Sequence, residues 1–194
     1  MSLMPCFGPK QAFAEGIVLG RLLAGYGELE VALCGCLVAV EGILDIPIRK
    51  IFGKPGAERR IKIAGVALQS DFSSAGLVAD LTQALDDMNW CREVRNQYSH
   101  CQWYWTARGL CFVNLETLAK TPTQILSVMG DRCPIDVVLL TTQEDYFFYV
   151  KECLMYLETA YCAWDRARSR GGATGPPSFV HPKPSKMARP LLHN

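Results

Sequence analysis

The chain has 194 residues, 49% of them hydrophobic and 20% charged, with a formal net charge of +1. That length and composition fit one domain with a real core and exclude a chain that is disordered throughout. The near-neutral charge excludes nucleic-acid binding over the whole surface, so any RNA or DNA contact has to come from a local patch.

The nine cysteines are odd in number, scattered, and contain no C-x-x-C pair. Most, such as Cys34, Cys36 and Cys91, stand among apolar neighbours, where a thiol packs as a small hydrophobe. This pattern favours a reducing, cytoplasmic setting over a disulfide framework. No ligand spacing for zinc is present, since His181 and His193 lie in the tail. No signal peptide is read at the N-terminus, which lacks a basic region followed by an apolar one. The most apolar run, Val31 to Val40, is bracketed by Glu28, Glu30 and Glu41 and is too short to span a bilayer. It is read as a buried helix, with no membrane partner.

In chain order, Gln11 to Glu41 predicts helix, with a possible break at Gly25 and Gly27, because glycine is a poor helix former. Pro47, Gly53, Pro55 and Gly56 then mark a short helix or loop. "AERRIKIAGVAL" predicts a helix of about three turns. Ser73 or Ser74 offers a cap for the next helix, whose apolar stripe runs Val78, Leu81, Leu85, Met88, Cys91 and Val94. Asp80, Asp86, Asp87 and Glu93 are placed on its solvent side. "CQWYWTARGLCFVNLE" predicts a β-hairpin from about Gln102 to Leu115, with Gly109 as the turn residue. Pro122 and Pro134 mark irregular ground. Thr141 and Glu144 fit a capping box for a last helix whose face carries Tyr146, Val150, Cys153, Leu157, Tyr161 and Trp164. Arg166, Arg168 and Arg170 suit the negative end of its dipole. Beyond Gly171, glycines, prolines and basic residues predict a tail without regular structure. The fold expected is therefore mainly α: a bundle of about five helices over residues 1–170 with one small hairpin after the helix that carries Arg95 and Asn96, and a disordered tail over 171–194. The apolar stretches exceed what a small bundle needs for its own core, which predicts a homodimer.

The stretch "REVRNQYSHCQW" holds the only histidine outside the last fourteen residues. Arg95 offers a planar fork of donors that fits phosphate oxygens. His100 is of the type that gives and takes protons, and Asn96 can orient a ligand or a ring. Together these suit phosphodiester cleavage without a metal or cofactor. Residues five apart on a helix diverge by about 140°, so Arg95 and His100 converge only if the helix ends near Tyr98 and Ser99 or a second copy completes the site. The competing reading is a polar helix terminus, with the arginine favoured by the dipole and the histidine capping carbonyls.

R-N-x-x-x-H at a helix end, followed closely by Trp103, resembles the HEPN ribonuclease motif. The resemblance spans about Glu15 to Arg168, with the motif as its sharp part. Cys101 departs from the glycine that many members carry after the histidine, and the hairpin looks like an insertion. The resemblance implies a helical bundle that dimerises with two motifs in a shared cleft. Active members are metal-independent endoribonucleases of toxin–antitoxin, phage-defence and RNA-processing systems, and others are non-catalytic dimerisation or ligand-binding modules. On this likeness His100 is the acid or base, Arg95 the phosphate clamp and Asn96 a positioning residue, while Glu28 or Glu30 orients Arg95 or His100. The implied partners are RNA, a second copy and an antitoxin or other protein, with a role in defence or stress response.

Two further features have a functional and a structural reading. Arg49, Lys50, Lys54, Arg59, Arg60 and Lys62 form a basic run that suits RNA phosphates, or simply a solvated face. Trp103, Tyr104, Trp105 and Phe112 suit base stacking, or the buried face of the hairpin. "FGKPG" lacks P-loop spacing. Cys101 and His100 are adjacent, an arrangement that rarely aims one side chain at the other.

Overall fold

The computed structural model describes residues 13–53, 55–106, 109–114, 119–120, 134–171 and 183–190. Among them are helices α1 (Phe13–Glu41), α2 (Asp45–Phe52), α3 (Ala57–Ser74) and α4 (Val78–Ser99), strands β1 (Gln102–Thr106) and β2 (Gly109–Val113), and helix α5 (Val137–Ser169). The fold is mainly helical with one two-stranded sheet, as the sequence predicts. Pro122 and the surrounding irregular ground lie outside the described residues, as does Lys54.

Helix α1 runs without interruption through Gly25 and Gly27. Two glycines cost a helix about 1 kcal/mol each, but Tyr26 and Leu29 between and beside them are buried and hold that turn in place. The helix stops at Gly42, whose positive φ of 74° lets its N–H reach back to the Val38 carbonyl at 2.7 Å. Among the described residues α1 is the one helix long and apolar enough, by length and composition, to cross a membrane. The buried Leu29, Leu33, Cys36 and Leu37 give it a protein-facing side.

Three element boundaries differ from expectation. Ser73 and Ser74 do not cap α4; they close α3, where the Ser74 hydroxyl donates to the Ser70 carbonyl. Gly76, with φ 74°, makes the stop: its N–H bonds to Ser73 and that of Leu77 to Phe72, the two bonds of a Schellman motif. Helix α5 starts before the Thr141 and Glu144 capping box. Asp136 caps it instead, its carboxylate accepting the Val138 N–H at 2.8 Å. In the hairpin, Gly109 is the first paired residue of β2, opposite Thr106, and not the turn itself.

The chain divides into two compact units, each drawing on the long helices. The first comprises Met1–Ala24, Glu93–Tyr146 and Ala188–Asn194. Its core gathers Tyr98, Phe112 and Trp103, with Tyr98 edge-on to Phe112 at 5.4 Å and Trp103 packed across the strands on Phe112 at 5.3 Å. Every residue of β2 from Leu110 to Val113 is buried, and the Leu110 carbonyl accepts the Ile135 N–H at 2.6 Å. Glu144 receives the Arg21 guanidinium in a two-point pair, with Nη2 2.8 Å from Oε2.

The second unit comprises Gly25–Arg92 and Phe147–Met187. Phe72 and Tyr161 stack at 5.1 Å, and Val150, Leu154, Leu157 and Ala160 are buried along α5. Most of the apolar stripes read from sequence on α4 and α5 is buried, while Val78, Leu85 and Cys153 are half-buried. Asp87 departs from its expected place on the solvent side. It is buried, and the Gln83 amide donates to both its carboxylate oxygens at 3.0 and 3.1 Å. Of the tail, residues 183–190 carry no helix or strand, and Lys183 pairs with Asp80. The seven described cysteines are thiols, not disulfides.

Candidate active site

The motif lies in the first unit, on the last turns of α4. The helix is unbroken from Arg95 to Ser99, and His100 is the first residue past it. The helix ends at Ser99, the first of the two conditions read from the sequence, yet Arg95 and His100 do not line a shared depression. Asn96 and His100 share a face, being four residues apart, and they line one open depression of about 460 Å³ with Glu93, Gln97 and Asn114. The spacing Glu93, Asn96, Gln97, His100 is three, four and seven residues from its first member, a single helical stripe. Here the stripe is polar. Asn114 joins it from the end of β2.

Arg95 reaches this group through its neighbour. Its Nη1 donates to the Asn96 side-chain oxygen at 2.9 Å, half-buried. With that carbonyl engaged, the Asn96 amide nitrogen is the part left to present two donors to the depression. Asn96 can therefore offer an anion its amide donors beside the imidazole of His100, with a fixed cation behind Asn96. His100 itself is exposed.

The end of α4 is held firmly beneath this surface. Tyr98 is buried among Trp103 and Phe112, and its hydroxyl donates to the buried Gln143 side-chain oxygen at 2.8 Å. Burial pushes the Tyr98 hydroxyl up to about 12. The Cys101 thiol donates to the Tyr98 carbonyl at 3.0 Å, and burial pushes it, too, up to about 12. A thiol kept protonated in this way is a poor nucleophile, which removes the Cys–His reading. Trp103 is half-buried, while Tyr104 and Phe112 are buried, so these rings serve the hairpin's packing.

The other residues singled out from sequence lie in the second unit. Glu28 accepts from Lys151 Nζ at 2.7 Å. Glu30 accepts from Arg60 Nη1 at 2.8 and 3.0 Å, and the same guanidinium lies 5.2 Å from the Phe52 ring centre. Both carboxylates thus have cationic partners other than Arg95. The basic run is partly neutralised: Lys50 meets Glu41 and Lys62 meets Glu58, each at 2.7 Å. Arg49 and Arg59 stay exposed, with no ion pair among the described residues.

Sequence reasoning missed Glu93, Gln97 and Asn114 as co-liners of the depression. For Glu93 and Gln97 the signal was available in their offsets of seven and three residues from His100. For Asn114, brought in by the hairpin, no local signal exists. Among the described residues no group of three or more His, Cys, Asp or Glu side chains is arranged to hold a metal ion. The chain matches no protein-family model, no curated protein and no solved structure.

Proposed function

We propose that this chain is a metal-independent endoribonuclease of the HEPN type, acting as a homodimer in the cytoplasm. The observation that carries the reading is the polar depression at the end of α4, where His100 and Asn96 stand together and Arg95 is held on the Asn96 carboxamide. In the proposed reaction His100 takes the proton from a ribose 2′-hydroxyl. The 2′-oxygen forms a bond to phosphorus as the bond to the 5′-oxygen breaks, and that oxygen takes a proton from water or from the second copy's acid. Amide and guanidinium donors stabilise the charge that builds on the phosphoryl oxygens. The products are a 2′,3′-cyclic phosphate and a 5′-hydroxyl. Exposed Ile43, Leu44, Ile46 and Ile48 around the start of α2 support association with a second copy, because contiguous apolar surface of this kind favours burial. A toxin, phage-defence or stress-response role with a protein antitoxin follows from the motif's resemblance.

A second reading is favoured by one observation: Arg95 does not line the depression. On that reading the same surface is a non-catalytic dimerisation or ligand-binding module. The deciding experiment compares wild type, Arg95→Ala and His100→Ala on a mixed RNA pool in EDTA. The ribonuclease reading expects both variants to lose cleavage while remaining folded. RNA binding without cleavage by the wild type selects the binding module.

A further inference from the structure

In the second unit, the first half of α4, the middle of α5 and the residues Lys183, Pro184 and Lys186 border a groove of about 320 Å³. We propose that this groove is a docking site for an extended lysine–proline peptide of a partner protein, and that the chain's own residues Lys183–Lys186, seated along its edge, act as a removable internal ligand.

The groove's chemistry matches that occupant. One wall is acidic: Asp80 receives the Lys183 ammonium, and the buried Asp87 lies below, fixed by Gln83. The other wall presents the rings of Tyr149 and Tyr156, and Pro184 lines the groove with them. Aromatic-lined grooves are a recurring receptor for proline-bearing segments, because such segments enter already extended and lose little entropy. Residues 183–190 have no helix or strand. A groove that engages a lysine and a proline is reading an extended peptide, not a small anion or a lipid.

The internal ligand is held loosely enough to exchange. The Lys183 and Asp80 side chains are 58% and 31% exposed, and ion pairs so open to water contribute little. The tether compensates. Eleven residues separate Gly171 from Lys183, and a short linker gives an effective concentration on the order of millimolar. A weak peptide site is then largely filled from within, yet open to a better ligand. The space remaining beside the segment leaves room for side chains larger than those it carries.

The test uses the full-length chain and a fluorescent synthetic peptide of residues 182–187, read by anisotropy. Lys183→Glu places like charge against Asp80 and undocks the internal segment, while both positions are exposed enough to leave the fold intact. If nine in ten wild-type molecules hold their own segment, the variant binds the peptide about tenfold more tightly than wild type. Adding Asp80→Lys to Lys183→Glu reverses both charges, reseats the segment and abolishes peptide binding. Trypsin cleavage after Lys186 accelerates in Lys183→Glu and returns to the wild-type rate in the double variant. Absence of peptide binding to Lys183→Glu, or binding indifferent to Asp80, overturns the proposal. So does a wild-type dimer that dissociates on Asp80→Lys, since the groove then serves a second copy's tail.

Discussion

Tyr98→Phe removes one oxygen from the support beneath the candidate site and leaves the rest of the ring. The ring contacts to Trp103 and Phe112 survive, so the substitution isolates the hydroxyl's bond to Gln143. Both residues are buried, at 2% and 0% exposure, so water cannot replace the lost donor at the Gln143 oxygen. Stripping a donor from a buried acceptor costs about 1–3 kcal/mol. A chain of this size shifts Tm by about 2–4 °C per kcal/mol, so the expected loss is about 4–8 °C at the midpoint of that range. Calorimetry on wild type, Tyr98→Phe, Gln143→Leu and the double variant measures it as a cycle. The double variant should be less destabilised than the sum of the singles by about 1 kcal/mol, because the second change removes the stranded acceptor. A Tyr98→Phe Tm within about 1 °C of wild type, or additive singles, would refute the reasoning.

Three further outcomes follow from the same geometry. Tyr98 and Cys101 ionise at higher pH in the folded chain than their ordinary values near 10 and 9, because burial disfavours the charged forms. The unfolded chain therefore sheds protons first, stability falls as pH rises from about 9 through 12, and Tyr98→Phe makes the fall shallower in denaturant titrations. Glu30→Gln should lower Tm through the loss of its pair with half-buried Arg60, while the rate of RNA cleavage at saturation stays within about twofold of wild type. A large loss of that rate with unchanged Tm would instead return Glu30 to the site. Glu158 lies against Gly35, and burial raises its carboxyl above the usual range, so its charge at neutral pH opposes folding. Glu158→Gln should raise Tm at pH 7 and lose that advantage in acid, where the wild-type carboxyl is itself protonated.

The helices were legible because apolar residues recur at helical spacing, as from Val78 to Val94 and from Tyr146 to Trp164. The change of period at Trp103 likewise disclosed the hairpin. Boundaries were less legible because several polar residues compete to cap each helix. Ser73 and Ser74 precede α4 closely enough to look like caps, yet Gly76 can adopt the positive φ that ends α3, and it decides the turn. Thr141 and Glu144 have capping-box spacing, but Asp136 begins the helix earlier and Arg21 takes Glu144. At the site, the Asn96–His100 pairing was implicit in helical periodicity. The detour of Arg95 through Asn96 was not, because a bond between adjacent side chains depends on rotamers. The groove beside Lys183–Lys186 was illegible for a different reason: it joins segments about one hundred residues apart, and Asp87 read as one more solvent-facing acid.

The most direct test of the central claim is end-group analysis of RNA incubated in EDTA with wild type and with His100→Ala. The account predicts 2′,3′-cyclic phosphate ends from the wild type, and a loss of at least about 100-fold in the variant, the range for removing an acid–base group. Equal cleavage by both proteins, or no cyclic ends from the wild type across a diverse RNA pool, would contradict it.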